Sequence, residues 1–461
     1  MIYGKIESLV HCMDKSRKFA LRSLNTAELL VLGFALVILI GAVLLSFPFA
    51  SQSGESIGFV NALFTAASAV AVTGLVVVDT ATHWTTFGHV VILLLIQIGG
   101  LGIIIMGTLF ALILGRRINF RQRMVMQEAM NKITVNGVVR LAKYILIMTV
   151  IVEGIGALIL STRFIPLYGW GKGIWMSVFH SVSAFCNAGF DLIGDFQSLT
   201  PFVNDPIITL TIAALIIIGG LGFVVIFELL EKKRIRNLSL HSKLALMMTG
   251  VLLLSGYIIV MVLEFNNPGT MGDLGLGGKF LSGFFHSVTP RTAGFNTLDM
   301  KSMMMGTIVM TMLFMFIGAG SAGTAGGVKV TTVGVIIASI VSTLKGKQDT
   351  ESFKRKLPRD LVNKAVAIIT IALLWIIMAT FILSISEDQA FIDILFEVIS
   401  AFGTVGLSLG VTTQLSIVGK IVITITMFVG RIGPLTLFMA MAQRRQVASV
   451  IQYPDEEIMI G

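Results

Sequence analysis

Polar residues along this chain are too sparse to mark one face of an amphipathic helix; they collect in short gaps between long apolar blocks. Eight blocks reach the ~20 residues that a helix needs to cross a bilayer. They lie near 28–47, 88–114, 138–162, 206–230, 243–265, 304–342, 362–384 and 416–442. Between successive pairs of blocks are shorter apolar stretches, each too short to span: FVNALFTAASAVAVTGL (59–75), IWMSVFHSVSAFCNAGF (174–190), FLSGFFHSVTPRTAGF (280–295) and FIDILFEVISAFGTVGL (391–407). The pattern predicts an all-α integral membrane protein with eight transmembrane helices and four re-entrant segments.

The short stretches resemble one another. Each places a Phe ten positions before a Gly that precedes a large apolar residue: Phe64/Gly74, Phe179/Gly189, Phe284/Gly294 and Phe396/Gly406. The glycines are 115, 105 and 112 residues apart. The next apolar block carries a second mark: Gly-Gly-Leu-Gly at 99–102 and 219–222, Gly-Ala-Gly-Ser at 318–321 and Gly-Arg-Ile-Gly at 430–433. Internal periodicity of this kind sets the architecture before any single motif does. It predicts four copies of helix, re-entrant pore helix, helix (M1–P–M2) around one central pore, over 28–120, 138–236, 243–344 and 362–442. An arm (1–27) precedes them and a tail (443–461) follows. In the first two copies the Gly-Gly-Leu-Gly runs read as small-residue helix packing.

Composition agrees. Hydrophobic residues make up 55% of the 461, charged residues only 13%, and mean hydropathy is +0.91; soluble domains carry about 25% charged residues. The net charge of +9 would suggest nucleic acid, but its distribution argues otherwise. Of 34 Lys and Arg, 26 lie in the arm, the linkers near 115–143, 231–243 and 345–364, and the tail. Six lie on the opposite side: Arg163, Lys172, Lys279, Arg291, Lys301 and Lys420. This asymmetry predicts a multi-pass protein with both termini cytosolic. No cleavage-like site follows the first apolar block, which therefore reads as a retained helix. Cys12 and Cys186 do not suggest a bridge, the six His show no metal spacing, and no catalytic constellation or organic cofactor site stands out.

Non-helical backbone at membrane depth survives only when buried in protein or lining water. A glycine ending each re-entrant helix can take angles closed to other residues, so that carbonyl oxygens from four segments face one axis. Rings of carbonyls replace the hydration shell of a monovalent cation. The ring candidates are Val72, Thr73, Gly74 and Leu75; Asn187, Ala188, Gly189 and Phe190; Thr292, Ala293, Gly294 and Phe295; and Thr404, Val405, Gly406 and Leu407. No carboxylate lies within these quartets, which speaks against a divalent-selective ring of acids.

The stretch GAGSAGTAGG (318–327) interrupts an apolar run twice the length of one span. Gly318, Gly320 and Gly323 match a dinucleotide fingerprint, but the flanks are membrane-length and the twentieth residue on is Thr343, not an acid. A helix broken beneath the ring of carbonyls is the preferred reading, with a plain kink or packing seam as the alternative. Arg431, about 15 residues into the last block, is a functional candidate by its depth; snorkelling to the interface is the other reading. Lys329 either neutralises carbonyl ends or faces the cytosol. Glu153 reads as a structural hydrogen-bonding group, and Arg291 as a brace for the third segment. Asp79 suits either a cation-collecting mouth or a helix cap, and His180 and His286 are structural.

AVTGL with its following VVVDT, SAFCNAGF, SVTPRTAGFN and SAFGTVGL resemble the four filter segments of the Trk/Ktr/HKT superfamily of potassium transporters. The resemblance covers nearly the whole chain and is greatest to the bacterial KtrB/KtrD type of membrane subunit. It implies potassium uptake across a bacterial plasma membrane, with K+ held at the backbone carbonyls of Gly74, Gly189, Gly294 and Gly406. Homodimerisation, control by a cytosolic nucleotide-binding RCK ring of the KtrA/KtrC type, and a dependence on or leak of Na+ are also implied. The segment containing Gly318, Gly320, Ser321, Gly323, Thr324, Gly326 and Gly327 corresponds to an intramembrane gating loop, with Lys329 just beyond it. The arginine of GRIGPLT, Arg431, corresponds to one that points into the pore beside that loop; it is expected to form a barrier to cations and to hydrogen-bond the loop's carbonyls. The second quartet departs from the others in having Asn187 and Ala188. A coupled secondary transporter with a midplane site remains the alternative, disfavoured because the repeats share one orientation.

Overall fold

The computed structural model describes residues 26–102, 138–433 and 436–437. Cys12, most of the N-terminal arm, the first basic linker up to 137, Pro434 and the expected tail lie outside the described residues.

The described chain is largely helical. In order, the helices are α1 (Thr26–Leu45), α2 (Phe59–Ala71), α3 (Thr80–His83), α4 (Thr86–Leu101), α5 (Val138–Tyr168), α6 (Trp170–Phe185), α7 (Pro206–Leu221), α8 (Phe223–Lys232), α9 (Leu240–Glu264), α10 (Leu276–Val288), α11 (Met305–Phe316), α12 (Val330–Leu344), α13 (Arg359–Ser386), α14 (Phe391–Gly403) and α15 (Ile417–Ile432). A two-stranded hairpin, β1 (Glu351–Ser352) with β2 (Arg355–Lys356), joins α12 to α13. Polar caps set several helix starts. Asp205 accepts from the Ile207 and Ile208 amides ahead of α7, whose first residue is Pro206, and Ser416 accepts from the Gly419 amide ahead of α15.

By length and apolarity, four described helices can cross a membrane: α1, α5, α9 and α13. A fifth span results if α7 and α8, bent by 93° at their junction, count as one. The expected single spans at 88–114, 206–230 and 416–442 are therefore corrected, while the break expected within 304–342 is present. The helix α4 stops before Gly102 (φ 84°, ψ 141°), α7 before Gly222 (φ 94°, ψ 132°) and α15 before Gly433 (φ 92°, ψ 132°). Positive φ with extended ψ ends a helix and suits glycine alone. The last glycine of each GxxG run is thus a break as well as a packing site. The third run is broken over residues 317–329, between α11 and α12.

Packing is cyclic. The helix α1 packs on α2 and α4, α5 on α6 and α7, α9 on α10 and α11, and α13 on α14 and α15. Across these groups α4 meets α6, α7 meets α10, α11 meets α14, and α15 returns to α2. Phe64, Phe179 and Phe396 are fully buried among the short helices. In α10 the corresponding fully buried ring is Phe285, while the expected Phe284 is only half-buried. Large apolar side chains stay exposed along the long helices (Leu158 and Val150 at 70%, Ile385 at 73%), as lipid-facing surfaces require.

Candidate functional site

Each short helix runs into a loop with the same backbone signature. Val72 and Gly74, Asn187 and Gly189, Thr292 and Gly294, and Thr404 and Gly406 all have positive φ. Alternating handedness turns successive peptide groups to one side of the chain. Left-handed backbone costs roughly 1–3 kcal/mol at residues other than glycine, and Val72, Thr292 and Thr404 are β-branched. Strain of this size needs surrounding structure to hold it, and all three side chains are buried. The expectation assigned conformational freedom to the glycines alone; the residue two positions earlier shares it.

The four glycines face one another in a closed circuit. A methyl group added to Gly74 would come within 2.5 Å of the Ala188 carbonyl and 3.1 Å of Gly189 Cα. On Gly189 it would meet the Ala293 carbonyl at 2.8 Å and Gly294 Cα at 3.1 Å. On Gly294 it would strike the Val405 carbonyl and lie 3.3 Å from Gly406 Cα; on Gly406 it would strike the Thr73 carbonyl and lie 3.1 Å from Gly74 Cα. Backbone, not side chain, is the obstacle at every step. Residues separated by more than 300 positions in sequence are thereby brought to one axis.

A hydroxyl near the end of each short helix braces its loop. The Gly74 amide donates to Ser68 Oγ at 3.1 Å and the Gly406 amide to Ser400 Oγ at 3.1 Å. Ser183 Oγ donates to the Phe190 carbonyl at 2.7 Å, and Thr289 Oγ1 donates to the Phe295 carbonyl. These four residues follow Phe64, Phe179, Phe285 and Phe396 by four positions, one helical turn. That Phe-to-hydroxyl spacing was available in the sequence and would have identified them. Asn187 Nδ2 lies 3.2 Å from Thr292 Oγ1, joining the second loop to the third; exchanging the amide atoms keeps this contact and adds bonds to the Ile216 and Ala184 carbonyls.

Above the glycines the loops open into a cavity of about 820 Å³. All four glycines line it, together with Asp79, Asp191, Asp299 and Lys301. Asp79 caps α3, accepting from the Thr82 amide at 2.9 Å, and its other oxygen accepts from the Phe196 amide at 2.9 Å. Asp191, in the loop beyond α6 and outside the spanning helices, is pushed up to about 6 by burial, with Asp79 adding to the rise.

Below the glycines lies the 317–329 loop. Gly326 packs against the Thr404 side chain, and Gly327 against Gly403. The Gly327 amide donates to the Gly430 carbonyl at 3.2 Å, and Ser321 and Thr331 share a 2.9 Å hydroxyl bond. Arg431 donates to the Thr324 carbonyl and, through Nη2, to the carbonyls of Gly99 and Gly100, the latter at 3.1 Å. It thus links the loop to the last turn of α4, a partner the sequence did not suggest. Lys329 Nζ turns back onto its own loop, 2.5 Å from the Ala325 carbonyl and 3.3 Å from that of Gly326. Arg291 reaches Thr249 Oγ1 on α9 at 3.2 Å. Glu153 accepts from Gln97 Nε2 at 3.2 Å, and His180 and His286 are bonded within the packed helices, to Met176 and Thr311.

A family model described as TrkH, cation transport protein, matches residues 6–450. The chain is 47% identical to the Ktr system potassium uptake protein B of Bacillus subtilis over 94% of its own length and 96% of that protein's. It is 41% identical to the potassium/sodium uptake protein NtpJ of Enterococcus hirae, over 97% and 100% respectively. The crystal structure of the potassium transporter TrkH from Vibrio parahaemolyticus superposes with a TM-score of 0.71 at 18% identity, covering 91% of this chain and 86% of that one, a likeness of fold.

Proposed function

Since the chain belongs to the TrkH family of cation transport proteins, a family of membrane transporters and not of enzymes, we propose that it takes up potassium across a bacterial plasma membrane through one pore. In this reading the pore is enclosed by four M1–P–M2 units. The quartets beginning at Val72, Asn187, Thr292 and Thr404 form the filter, and the carbonyls around Gly74, Gly189, Gly294 and Gly406 replace the water of a desolvated K+. The ion moves down its electrochemical gradient and no covalent chemistry is involved.

The observation that carries this reading is the closed circuit of glycines, each against the backbone of the next. A side chain at any of them would meet a carbonyl, so the axis is reserved for main-chain oxygens. The 317–329 loop is the gate, held beneath the filter by Arg431 and by Lys329; the arginine's charge opposes cations until loop and arginine move together. Both termini and the basic linkers are cytosolic, two copies pair, and a nucleotide-binding RCK ring acts on the cytosolic face. The names of the relatives support K+ as cargo, and that of the Enterococcus hirae protein adds sodium as co-substrate or leak.

Rubidium and sodium flux into liposomes containing the purified chain tests the filter, with Gly74→Ser and Gly294→Ser alongside. Each substitution combines positive φ with a backbone collision, and the rubidium-to-sodium ratio is expected to fall at least ~10-fold, the loss of about 1.4 kcal/mol of discrimination. An unaltered ratio in both variants would remove these glycines from the filter.

A further inference from the structure

The bend between α7 and α8 and the 317–329 loop satisfy each other's unpaired backbone. A helix that stops leaves its last carbonyls without amide partners, and one that starts leaves its first amides without acceptors. Here the Gly220 carbonyl at the end of α7 accepts from the Gly320 amide at 2.7 Å, and the Gly219 carbonyl faces the Thr324 amide at 3.4 Å. At the start of α8, the Phe223 amide donates to the Ala322 carbonyl at 2.9 Å. Between them sits Gly222, at φ 94°, where an added Cβ would collide with the Ser321 carbonyl. A Cβ on Gly320 would likewise meet the Leu221 carbonyl, and one on Gly323 would lie 3.0 Å from Gly222 Cα. At Gly222, Gly320 and Gly323 the two segments lie backbone to backbone, and the Ala319 and Thr324 side chains rest on Gly220 and Gly219. By contrast α15 offers the loop one backbone bond, from Gly430, besides the arginine.

The far end of α8 is also fixed. Glu228 Oε2 accepts from the Ser239 amide at 3.0 Å, from Ser239 Oγ at 2.8 Å and from Ser242 Oγ at 2.7 Å, which ties α8 to the first turn of α9. Straightening α7–α8 would strip the loop of three bonds, and lifting the loop would expose the bend.

We infer that Gly222 is a positioning residue for the gate, and that α8 is the lever through which movement at the basic, cytosolic face is transmitted to the loop. The inference rests on the reading of 317–329 as the gate. It deepens that reading by naming the element that holds the gate shut.

The experiment is rubidium flux through the full chain in liposomes, without any partner, for Gly222→Ala, for deletion of residues 319–326, and for both together. Losing the equivalent of one of these backbone bonds predicts a rise of ~3- to 10-fold for Gly222→Ala. The deletion raises flux at least as far, and the combination equals the deletion alone. If the deletion raises flux and a folded Gly222→Ala does not, the latch is wrong while the gate stands. If the deletion leaves flux at the wild-type level, the gate reading itself fails. Should Gly222→Ala fail to fold, the pair Leu221→Cys with Ser321→Cys decides. Oxidation should form the crosslink, lower flux, and be reversed by reductant. A crosslink that does not form, or that forms without changing flux, overturns the latch.

Discussion

In the outer half of the proposed pore, four loops far apart in sequence carry the same two positive-φ positions, a hydroxyl brace from the same helical position and the same contact with the next loop. In the inner half, α4, α7 and α15 break at Gly102, Gly222 and Gly433 with nearly equal angles, but between α11 and α12 a thirteen-residue loop (317–329) stands where a single glycine would do. The two halves answer different physical demands. A desolvated monovalent ion is satisfied by equivalent oxygens on all sides, so departures from fourfold likeness are penalised there. In the proposed reading the 317–329 loop is a plug, which cannot share that symmetry, because one strand of chain on an axis has no room for three copies. One unit supplies it, and the others supply glycine faces for it to rest on.

Several substitutions separate the halves. Arg431 should give the largest effect. Arg431→Ala removes a charge and bonds to Thr324, Gly99 and Gly100; partner-free rubidium flux is expected to rise about tenfold, on the scale of one charge-assisted bond and its barrier. Arg431→Lys keeps the charge but not the planar fork that reaches two helices. Its flux should fall between wild type and Arg431→Ala, with the rubidium-to-sodium ratio unchanged in both, because the filter is untouched. A changed ratio would mean that the halves are not separable.

The outer half offers a subtler break. Ser68→Ala and Ser400→Ala each remove the acceptor for a filter glycine's amide and leave that amide buried. A neutral hydrogen bond contributes about 1 kcal/mol, so the selectivity ratio should change about fivefold or less with little change in gating. Ser68→Thr, which keeps the hydroxyl, should restore most of it. Equal losses in the alanine and threonine variants would point to packing, not bonding.

Much of this geometry was legible in the sequence, and the misses have physical causes. The spacing of apolar blocks located the short helices, because a length below one span is visible without knowing the fold. The four glycines were legible because their apolar followers recur in phase. Phe284 was placed one residue out because counting back from Gly294 assumes equal loops. The helix is phased by the buried pair Phe285 and Thr289, and the third loop is one residue shorter from that pair. Positive φ at Val72, Thr292 and Thr404 runs against the preference of β-branched residues, so local propensity hid it. The breaks at Gly102 and Gly222 read as packing because the same glycine absence of Cβ serves both uses. The circuit of contacts between loops, and the reach of Arg431 to α4, depend on how groups close around the axis, which no local pattern records.

The mildest test lies at the mouth, where the cavity holds Asp79, Asp191 and Asp299 against Lys301 and His83. Burial holds the Asp191 carboxyl near 6, above the ordinary carboxylate range, and the neighbouring Asp79 pushes the same way. The group is therefore charged at pH 7.5 and becomes neutral as pH falls through about 6, taking away one of the negative charges lining the cavity, which in the proposed reading is the entrance for cations. Salt screens such fields over about 8–10 Å, so rubidium influx at low ionic strength should drop about twofold between external pH 7.5 and 5, and less at high salt. Asp191→Asn should begin at the lowered rate and show a flatter profile over that window, while Arg431→Ala keeps the full dependence because its change is on the other side of the filter. A pH response that disappears in Arg431→Ala and persists in Asp191→Asn would move the titrating group from the mouth to the gate.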